Sequence, residues 1–243
     1  MNTIAPPPQL KKLPPSKRFL GIALGLAGAG ATNLALGYAG FSFYTRSTTF
    51  VPYDTTHDDL ATPVFKKHNP LGNAPVCIDH AVKTIPLAKL KETDQSKLTT
   101  DFCRGVWSGL GYAYQRRYLE KKYRALENRE DHLWDRRELA ESDYAIGTKI
   151  TDHFEVVEHT PEKVIVRCGD SPLNQDHRPS DGLFSMEVTT DQEKQTATFH
   201  LKSVFVNTTP EGKGGEPLPW RFQFAHRLYT KLWMETATRK LLK

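Results

Sequence analysis

The pattern of apolar and charged positions separates an N-terminal apolar run from a longer mixed segment. From Phe19 to Tyr44 the chain carries no charged side chain. A helix needs about 20 apolar residues to cross a bilayer. The run therefore predicts a transmembrane anchor at 19–44, preceded by a basic, proline-rich tail at 1–18. A cleaved targeting peptide is the alternative for this segment.

Beyond the run, four prolines predict an irregular linker at 45–75 that wraps onto the following domain. Apolar positions with strand or helical spacing then alternate in blocks along residues 76–243. The predicted strands cover 76–87, 148–157, 164–170, 183–190 and 196–206. The predicted helices cover about 99–124, 131–141 and 218–242.

The order of these elements indicates an α+β domain at 76–243. A long amphipathic helix that follows an antiparallel sheet must bury its apolar stripe on that sheet. This layout resembles, at the level of architecture, the helix-grip fold of START and Bet v 1-like proteins. A cone-shaped barrel of the nuclear-transport-factor-2 type and a hot-dog fold are the alternatives, but neither normally ends in so long a helix.

The net charge of +5 is matched by the five basic residues that precede the first acid, Asp54. The remaining chain is near neutral, which argues against nucleic-acid binding. Basic residues before the apolar run predict a cytoplasmic N-terminus and a lumenal body. We expect a single-pass protein of the endoplasmic reticulum, with the mitochondrial inner membrane as the alternative. Gly21, Gly25 and Gly28 share a small face that would support a homodimer.

Common enzyme signatures are absent from the sequence. It contains no GxGxxG, GxxxxGK[ST], GxSxG or HExxH motif. The three cysteines match no zinc pattern, and the nine histidines show no metal-ligand spacing. We therefore expect no metal site, no redox cofactor and no bound ATP.

Aromatic residues at helical and strand spacing predict an apolar pocket between the sheet and the last helix. Arg117 could orient a phenolate or carboxylate group of a ligand there. Packing in an ordinary core is the competing interpretation of the aromatic set. The candidate lining residues are Trp107, Tyr114, Phe154, Phe184, Phe199, Tyr229 and Trp233.

Asp152, Asp170 and His226 are the candidate catalytic residues. Strand alternation places each aspartate on an apolar face, where burial would raise its pKa and suit it to proton transfer. His226 lies within the inward stripe of the last helix, and a histidine can exchange protons near pH 7. An aspartate paired with Arg116 or Arg117, and a histidine satisfied in the core, are the structural alternatives.

Three stretches carry a family resemblance: FCRGVWSGLGYAYQRRYLE at 102–120, LWDRR at 133–137 and ITDHFEV at 150–156. They resemble a group of filamentous-fungal proteins often found in natural-product gene clusters. The group includes the hydroalkoxylation cyclase of the phenalenone pathway, which closes a dihydrofuran ring without redox chemistry. The resemblance implies a role in secondary metabolism and transfers no catalytic residue.

Two functions follow as expectations. The first is a cofactor-free cyclase or isomerase that folds a hydrophobic, polyketide-derived substrate into one reactive conformer and moves a proton. The second is a non-catalytic, membrane-tethered module that binds or transfers lipids or other small hydrophobic molecules. A hot-dog-type thioesterase or dehydratase would need a carboxylate at a helix N-terminus, which no motif indicates.

Overall fold

The computed structural model describes residues 32–243. The chain divides into two units, Met1–Tyr44 and Thr45–Lys243. In the first unit, residues 32–44 are helical and are labelled α1. The predicted tail at 1–18 and residues 19–31 of the predicted anchor lie outside the described residues. Within 32–243, no helix combines the length and the apolar character needed to span a membrane.

The second unit contains one antiparallel sheet of seven strands. The strands lie side by side in the order β1-β2-β7-β6-β5-β4-β3. The predicted α+β class with a long C-terminal helix is therefore confirmed. The strand bounds are β1 Thr49–Phe50, β2 Cys77–Pro86, β3 Lys149–Ile150, β4 Phe154–His159, β5 Lys163–Cys168, β6 Asp181–Asp191 and β7 Thr196–Val206.

Alternation along the strands separates the two faces of the sheet. Val164, Val166 and Cys168 of β5 join the main apolar core, whereas Ile165 joins a smaller cluster on the opposite face. Because successive side chains of a strand point to opposite faces, this period of two fixes which residues meet the helices. The alternation in the sequence predicted these faces for β5.

Five further helices belong to the second unit. They are α2 Pro63–His68, α3 Gln95–Ser108, α4 Leu110–Tyr123, α5 Arg136–Glu141 and α6 Trp220–Arg239. The single helix predicted at 99–124 is wrong, because Gly109 is extended and separates α3 from α4. A Cβ atom at Gly109 would lie 2.5 Å from the carbonyl oxygen of Gly105. The break turns α4 so that the N–H of Gly111 donates to the Thr236 hydroxyl on α6.

The main core lies between the sheet and helices α3 and α6. Its centre is Trp107, which is fully buried. The Trp107 ring packs against the rings of Phe154 at 4.7 Å, Tyr112 at 5.0 Å and Trp233 at 5.5 Å. Aromatic packing of this kind adds to the area that the rings bury and fixes α6 on the sheet.

The segment predicted as an irregular linker at 45–75 contains regular structure. It supplies β1 and α2, together with a short 3-10 helix at Asp58–Ala61. Phe65 of α2 packs with Leu183 and Val204 on the face of the sheet opposite the main core. Part of this segment therefore covers that face of the sheet and shields an apolar cluster that would otherwise be exposed to water.

Candidate functional site

A cavity of about 570 Å³ lies between α6 and one end of the sheet. Its floor follows a row of cross-strand neighbours: Phe154 pairs with Cys168, Cys168 with Gly182, and Gly182 with Phe205. The lining residues are Gln115, His153, Phe154, Cys168, Gly169, Phe184, Ser203, Phe205, Phe222, Ala225, His226, Tyr229, Thr230 and Trp233.

The cavity is mainly apolar and has the size of a small-molecule site. Ligand pockets of about 300–1,000 Å³ typically combine apolar walls with a few polar groups. Burial raises the pKa of the Cys168 thiol to about 12, so the thiol stays protonated and behaves as part of the apolar wall. Phe154 and Phe184 extend this wall, and Tyr229 and Trp233 face them from α6.

His226 is the polar group at the β2–β7 side of the cavity. Its Nε2 lies 3.1 Å from Oδ2 of Asp79 and 3.2 Å from the hydroxyl oxygen of Ser203. The Phe205 ring meets the imidazole edge-on at 5.1 Å, and the Phe222 ring stacks on it at 6.4 Å. Two aromatic rings and two polar partners therefore fix the orientation of this imidazole.

Asp79 projects from β2 into the layer between the sheet and α6. Its side chain is 1% exposed. Within the described residues, neither carboxylate oxygen has a partner in hydrogen-bond geometry. A buried carboxylate without hydrogen bonds is costly, and a neighbouring N–H group would offset part of that cost. The short approach of His226 is therefore the feature that accommodates Asp79.

His153 is the polar group at the β4 side of the cavity. Its Nδ1 is buried and lies 3.2 Å from Oδ2 of Asp152, without hydrogen-bond geometry. Burial lowers the pKa of His153, although the nearby carboxylates of Asp152 and Asp170 act in the opposite direction. The imidazole is therefore neutral at pH 7.

A hydroxyl group on α6 completes the polar lining. The hydroxyl of Tyr229 donates to Oε1 of Gln115 on α4 at 3.1 Å. Burial raises the pKa of Tyr229 to about 12. Tyr229 therefore stays protonated at neutral pH and can bind a polar ligand atom without acting as a base.

The structure brings five predicted site residues to the cavity: Phe154, Phe184, His226, Tyr229 and Trp233. Trp107 lies behind them in the core, in ring contact with Trp233. The other predicted lining residues lie elsewhere. Phe199 packs against Phe102 in the core, and Tyr114 and Arg117 are exposed on α4.

The predicted strand position of Asp152 is wrong, because Asp152 lies in the turn between β3 and β4. It does not line the cavity, although His153 next to it does. Its carboxylate accepts from the guanidinium of Arg129 and, at 3.1 Å, from the Ser171 hydroxyl. The predicted arginine partners, Arg116 and Arg117, are therefore replaced by Arg129.

Asp170 lies just beyond β5 and is half-buried. It accepts hydrogen bonds from the side chain of Asn174 at 2.8 Å and the N–H of Ser171 at 2.7 Å. Burial acts to raise its pKa, but these hydrogen bonds and the nearby Arg178 hold the pKa below its ordinary value. Asp170 is thus a carboxylate that stabilises its own loop, and it does not line the cavity.

Asp79 and His153 were not predicted as site residues from the sequence. Asp79 alternates with Cys77, Ala81 and Ile85, so the signal for a carboxylate on an apolar face was present in β2. His153 had no comparable signal, because its orientation depends on a turn with left-handed backbone at Thr151 and Asp152.

Residues that could bind a metal ion do not cluster in this region. Among residues 32–243, no group of three or more histidine, cysteine, aspartate or glutamate side chains is arranged to hold one. Comparison with known protein families, curated protein sequences and solved structures finds no match to this chain.

Proposed function

We propose that the protein is a cofactor-free cyclase or isomerase of a hydrophobic, polyketide-derived secondary metabolite. The pairing of His226 with Asp79 at the wall of an apolar cavity carries the proposal. The helix-grip assignment belongs to it as well, since the cavity lies between an antiparallel sheet and the long C-terminal helix. The resemblance to fungal natural-product proteins supports the choice of substrate class.

The chemistry follows from the two nitrogen atoms of His226. The carboxylate of Asp79 and the hydroxyl of Ser203 both lie close to Nε2, which favours the tautomer with its proton on Nε2 and leaves Nδ1 unprotonated as a base. Nδ1 takes the proton of a substrate hydroxyl, and the resulting oxyanion forms a bond to one carbon of an alkene. The π bond breaks, and the imidazolium returns its proton to the other carbon. Atoms and electrons balance without an oxidant or reductant.

The apolar wall contributes by orientation. Phe154, Phe184 and Trp233 restrict a flexible substrate to conformers in which the hydroxyl oxygen approaches the alkene. Holding two reacting groups together in this way accounts for a large part of the rate enhancement of many enzymes. A buried carboxylate beside His226 stabilises the imidazolium that forms during the reaction.

The proposed location is a membrane, through an anchor at 19–44. A hydrophobic substrate partitions into lipid, so a membrane anchor would hold the cavity close to the substrate dissolved in the bilayer. We propose a single-pass protein of the endoplasmic reticulum, with the mitochondrial inner membrane as the alternative. Pairing of anchors through Gly21, Gly25 and Gly28 would give a homodimer.

A binding or transfer module is the second candidate. The observation that favours it is the large apolar share of the cavity wall, from Phe154 and Cys168 to Phe205 and Trp233. Such a module would hold its ligand without needing His226 as a base. The two functions therefore differ in the consequence of removing the imidazole.

The test compares product formation by three full-length proteins in microsomes: the wild type, His226→Ala and His177→Ala. His177 is exposed, does not line the cavity and serves as the matched control. A prenylated aromatic polyketide is supplied, and the products are separated by chiral chromatography. We expect one isobaric product of single handedness from the wild type and the control, and a loss of at least about 100-fold for His226→Ala. Substrate that stays bound but unchanged with all three proteins would favour the binding module.

A further inference from the structure

A second imidazole–carboxylate pair lies at the cavity away from His226, with His153 in the wall and Asp152 beside it, outside the lining. Asp152, whose side chain is 1% exposed, lies beside Nδ1 of His153 and is held by Arg129 and Ser171. The backbone N–H of Asp152 also donates to Nδ1 of His132 at 3.2 Å. A buried carboxylate with partners on three sides is a rigid support for the imidazole next to it.

The backbone at this position is strained. Thr151 has φ 44° and Asp152 has φ 68°, the left-handed region that side chains with a Cβ atom rarely adopt. Consecutive strained residues persist only where the surroundings hold them, and they concentrate at functional sites. The tyrosine hydroxyl of Tyr112 is hydrogen-bonded to the hydroxyl of Thr151 and secures the turn.

The two imidazoles lie on opposite sides of the cavity. His226 packs on Phe205 of β7, whereas His153 immediately precedes Phe154, the first residue of β4. The sheet order β7-β6-β5-β4 places three strand spacings, about 14 Å, between the strand of Phe205, beside His226, and the strand of Phe154, beside His153. The distance between these two strands is greater than the length of one aromatic ring and matches the length of several fused rings.

The protonation of His153 indicates what it would bind. Oδ2 of Asp152 lies 3.2 Å from Nδ1, and the negative charge of this carboxylate favours the neutral tautomer that carries its proton on Nδ1 and leaves Nε2 as an acceptor. An acceptor in an apolar cavity selects a ligand that supplies a donor at that place. The substrate hydroxyl that reacts contacts His226, so the donor at His153 is a second group of the same substrate. In a polyketide-derived substrate, that donor is a hydroxyl.

We propose that the cavity binds an elongated, fused-ring aromatic substrate with a hydroxyl group at each end, one at His226 and one at Nε2 of His153. This inference rests on the proposed function and specifies its substrate class. The rings lie between Phe154 and Phe205 on the sheet and Tyr229 on α6. His153 is a binding residue, and Asp152 is a positioning residue that acts through it.

The test measures the binding of three anthraquinones to the full-length protein by isothermal titration calorimetry. The 2,6-dihydroxy compound has a hydroxyl at each end, the 1,2-dihydroxy compound has both at one end, and the 2-hydroxy compound has one. We expect the 2,6 isomer to bind about five- to tenfold more tightly than the other two, as one added hydrogen bond predicts. Equal affinities of the two dihydroxy isomers would overturn the proposal, and this comparison needs no variant.

A His153→Phe variant assigns the preference to this residue, with His177→Phe as the control. We expect His153→Phe to bind the three compounds equally and the control to keep the wild-type preference. A preference that survives in His153→Phe, with circular dichroism showing a folded protein, would contradict the role of His153. Because binding is measured without turnover, failure of this proposal is distinguishable from failure of the cyclase activity.

Discussion

Nε2 of His226 lies 3.1 Å from Oδ2 of Asp79, and this approach joins helix α6 to strand β2 across the candidate site. Within the part of the chain that the structure describes, neither oxygen of Asp79 has a partner in hydrogen-bond geometry, His226 included. A buried carboxylate without hydrogen bonds costs folding free energy, whereas its negative charge would stabilise an imidazolium that forms at His226 during proton transfer. Variants of Asp79 can therefore separate its effect on the activity of the protein from its effect on the free energy of unfolding.

The change Asp79→Asn tests that separation. We expect the turnover rate to fall about 10²- to 10⁴-fold, because the imidazolium formed during proton transfer loses its counter-charge. The free energy of unfolding should stay equal or increase, since a buried charge without hydrogen bonds is removed. Product assays and urea denaturation measure the two effects. A large loss of stability with unchanged turnover would give Asp79 a structural role.

The ion pair between Arg129 and Asp152 should behave differently. Both side chains are largely buried, at 13% and 1% exposure. Asp152→Asn would leave a buried guanidinium without its counter-charge, and we expect a loss of about 3–5 kcal/mol in the free energy of unfolding. Glu141→Gln, which breaks the exposed pair with Arg137, is the control and should cost at most about 1 kcal/mol. Urea denaturation measures both variants, and an equal loss of stability in Asp152→Asn and Glu141→Gln would contradict the buried pairing of Arg129 with Asp152.

The sequence predicted the faces of β5 because a period of two needs no tertiary information. Val164, Val166 and Cys168 share a face wherever β5 pairs. The helical spacing of apolar residues placed His226 on the inward stripe of the last helix, where the structure has it lining the cavity. Local pattern was sufficient for these elements.

The features that the sequence did not predict depend on tertiary contacts, which the local pattern of apolar and polar residues does not reveal. Asp152 was expected on a strand, but the left-handed backbone at Thr151 and Asp152 ends the alternation, and no glycine marks that turn. The division of one predicted helix into α3 and α4 follows from the packing of Gly109 and Gly111 close to Thr236. Such close approaches are properties of the tertiary structure.

Helix α3 crosses α6 at a glycine. A Cβ atom at Gly105 would lie 2.9 Å from the carbonyl oxygen of Ala237 and 3.2 Å from its Cα. Gly105→Ala should therefore separate the helices and lower the free energy of unfolding by about 1–3 kcal/mol. Gly214→Ala, where a Cβ would meet nothing within 4 Å, is the control. Thermal or urea denaturation checks the difference, and a neutral Gly105→Ala would contradict the close packing.

A histidine pair on the opposite face of the sheet predicts acid sensitivity. Nε2 of His80 lies 2.9 Å from Nδ1 of His200, close to Lys202, Asp59 and Tyr53. Burial lowers the pKa of His80 to about 4, with His200 and Lys202 adding to the effect. The unfolded chain therefore binds a proton that the folded protein rejects, and stability should fall as pH decreases from about 6.5 to about 4.

Urea denaturation at several pH values measures this dependence in the wild type and in His80→Gln. We expect the variant to lose less stability than the wild type over the same pH range, because one of the groups that take up a proton on unfolding is gone. The control is His177→Gln, whose side chain is exposed. Identical pH dependence in the wild type and His80→Gln would show that this pair does not contribute.

The central claim, proton transfer from oxygen to carbon without redox chemistry, is tested most directly by mass spectrometry of the product formed in D₂O. The imidazolium of His226 exchanges its proton with solvent, so the product should carry one non-exchangeable deuterium and should be isobaric with the substrate when the reaction runs in H₂O. A product that differs from the substrate by two hydrogens or by an oxygen, or one without carbon-bound deuterium, would contradict the claim.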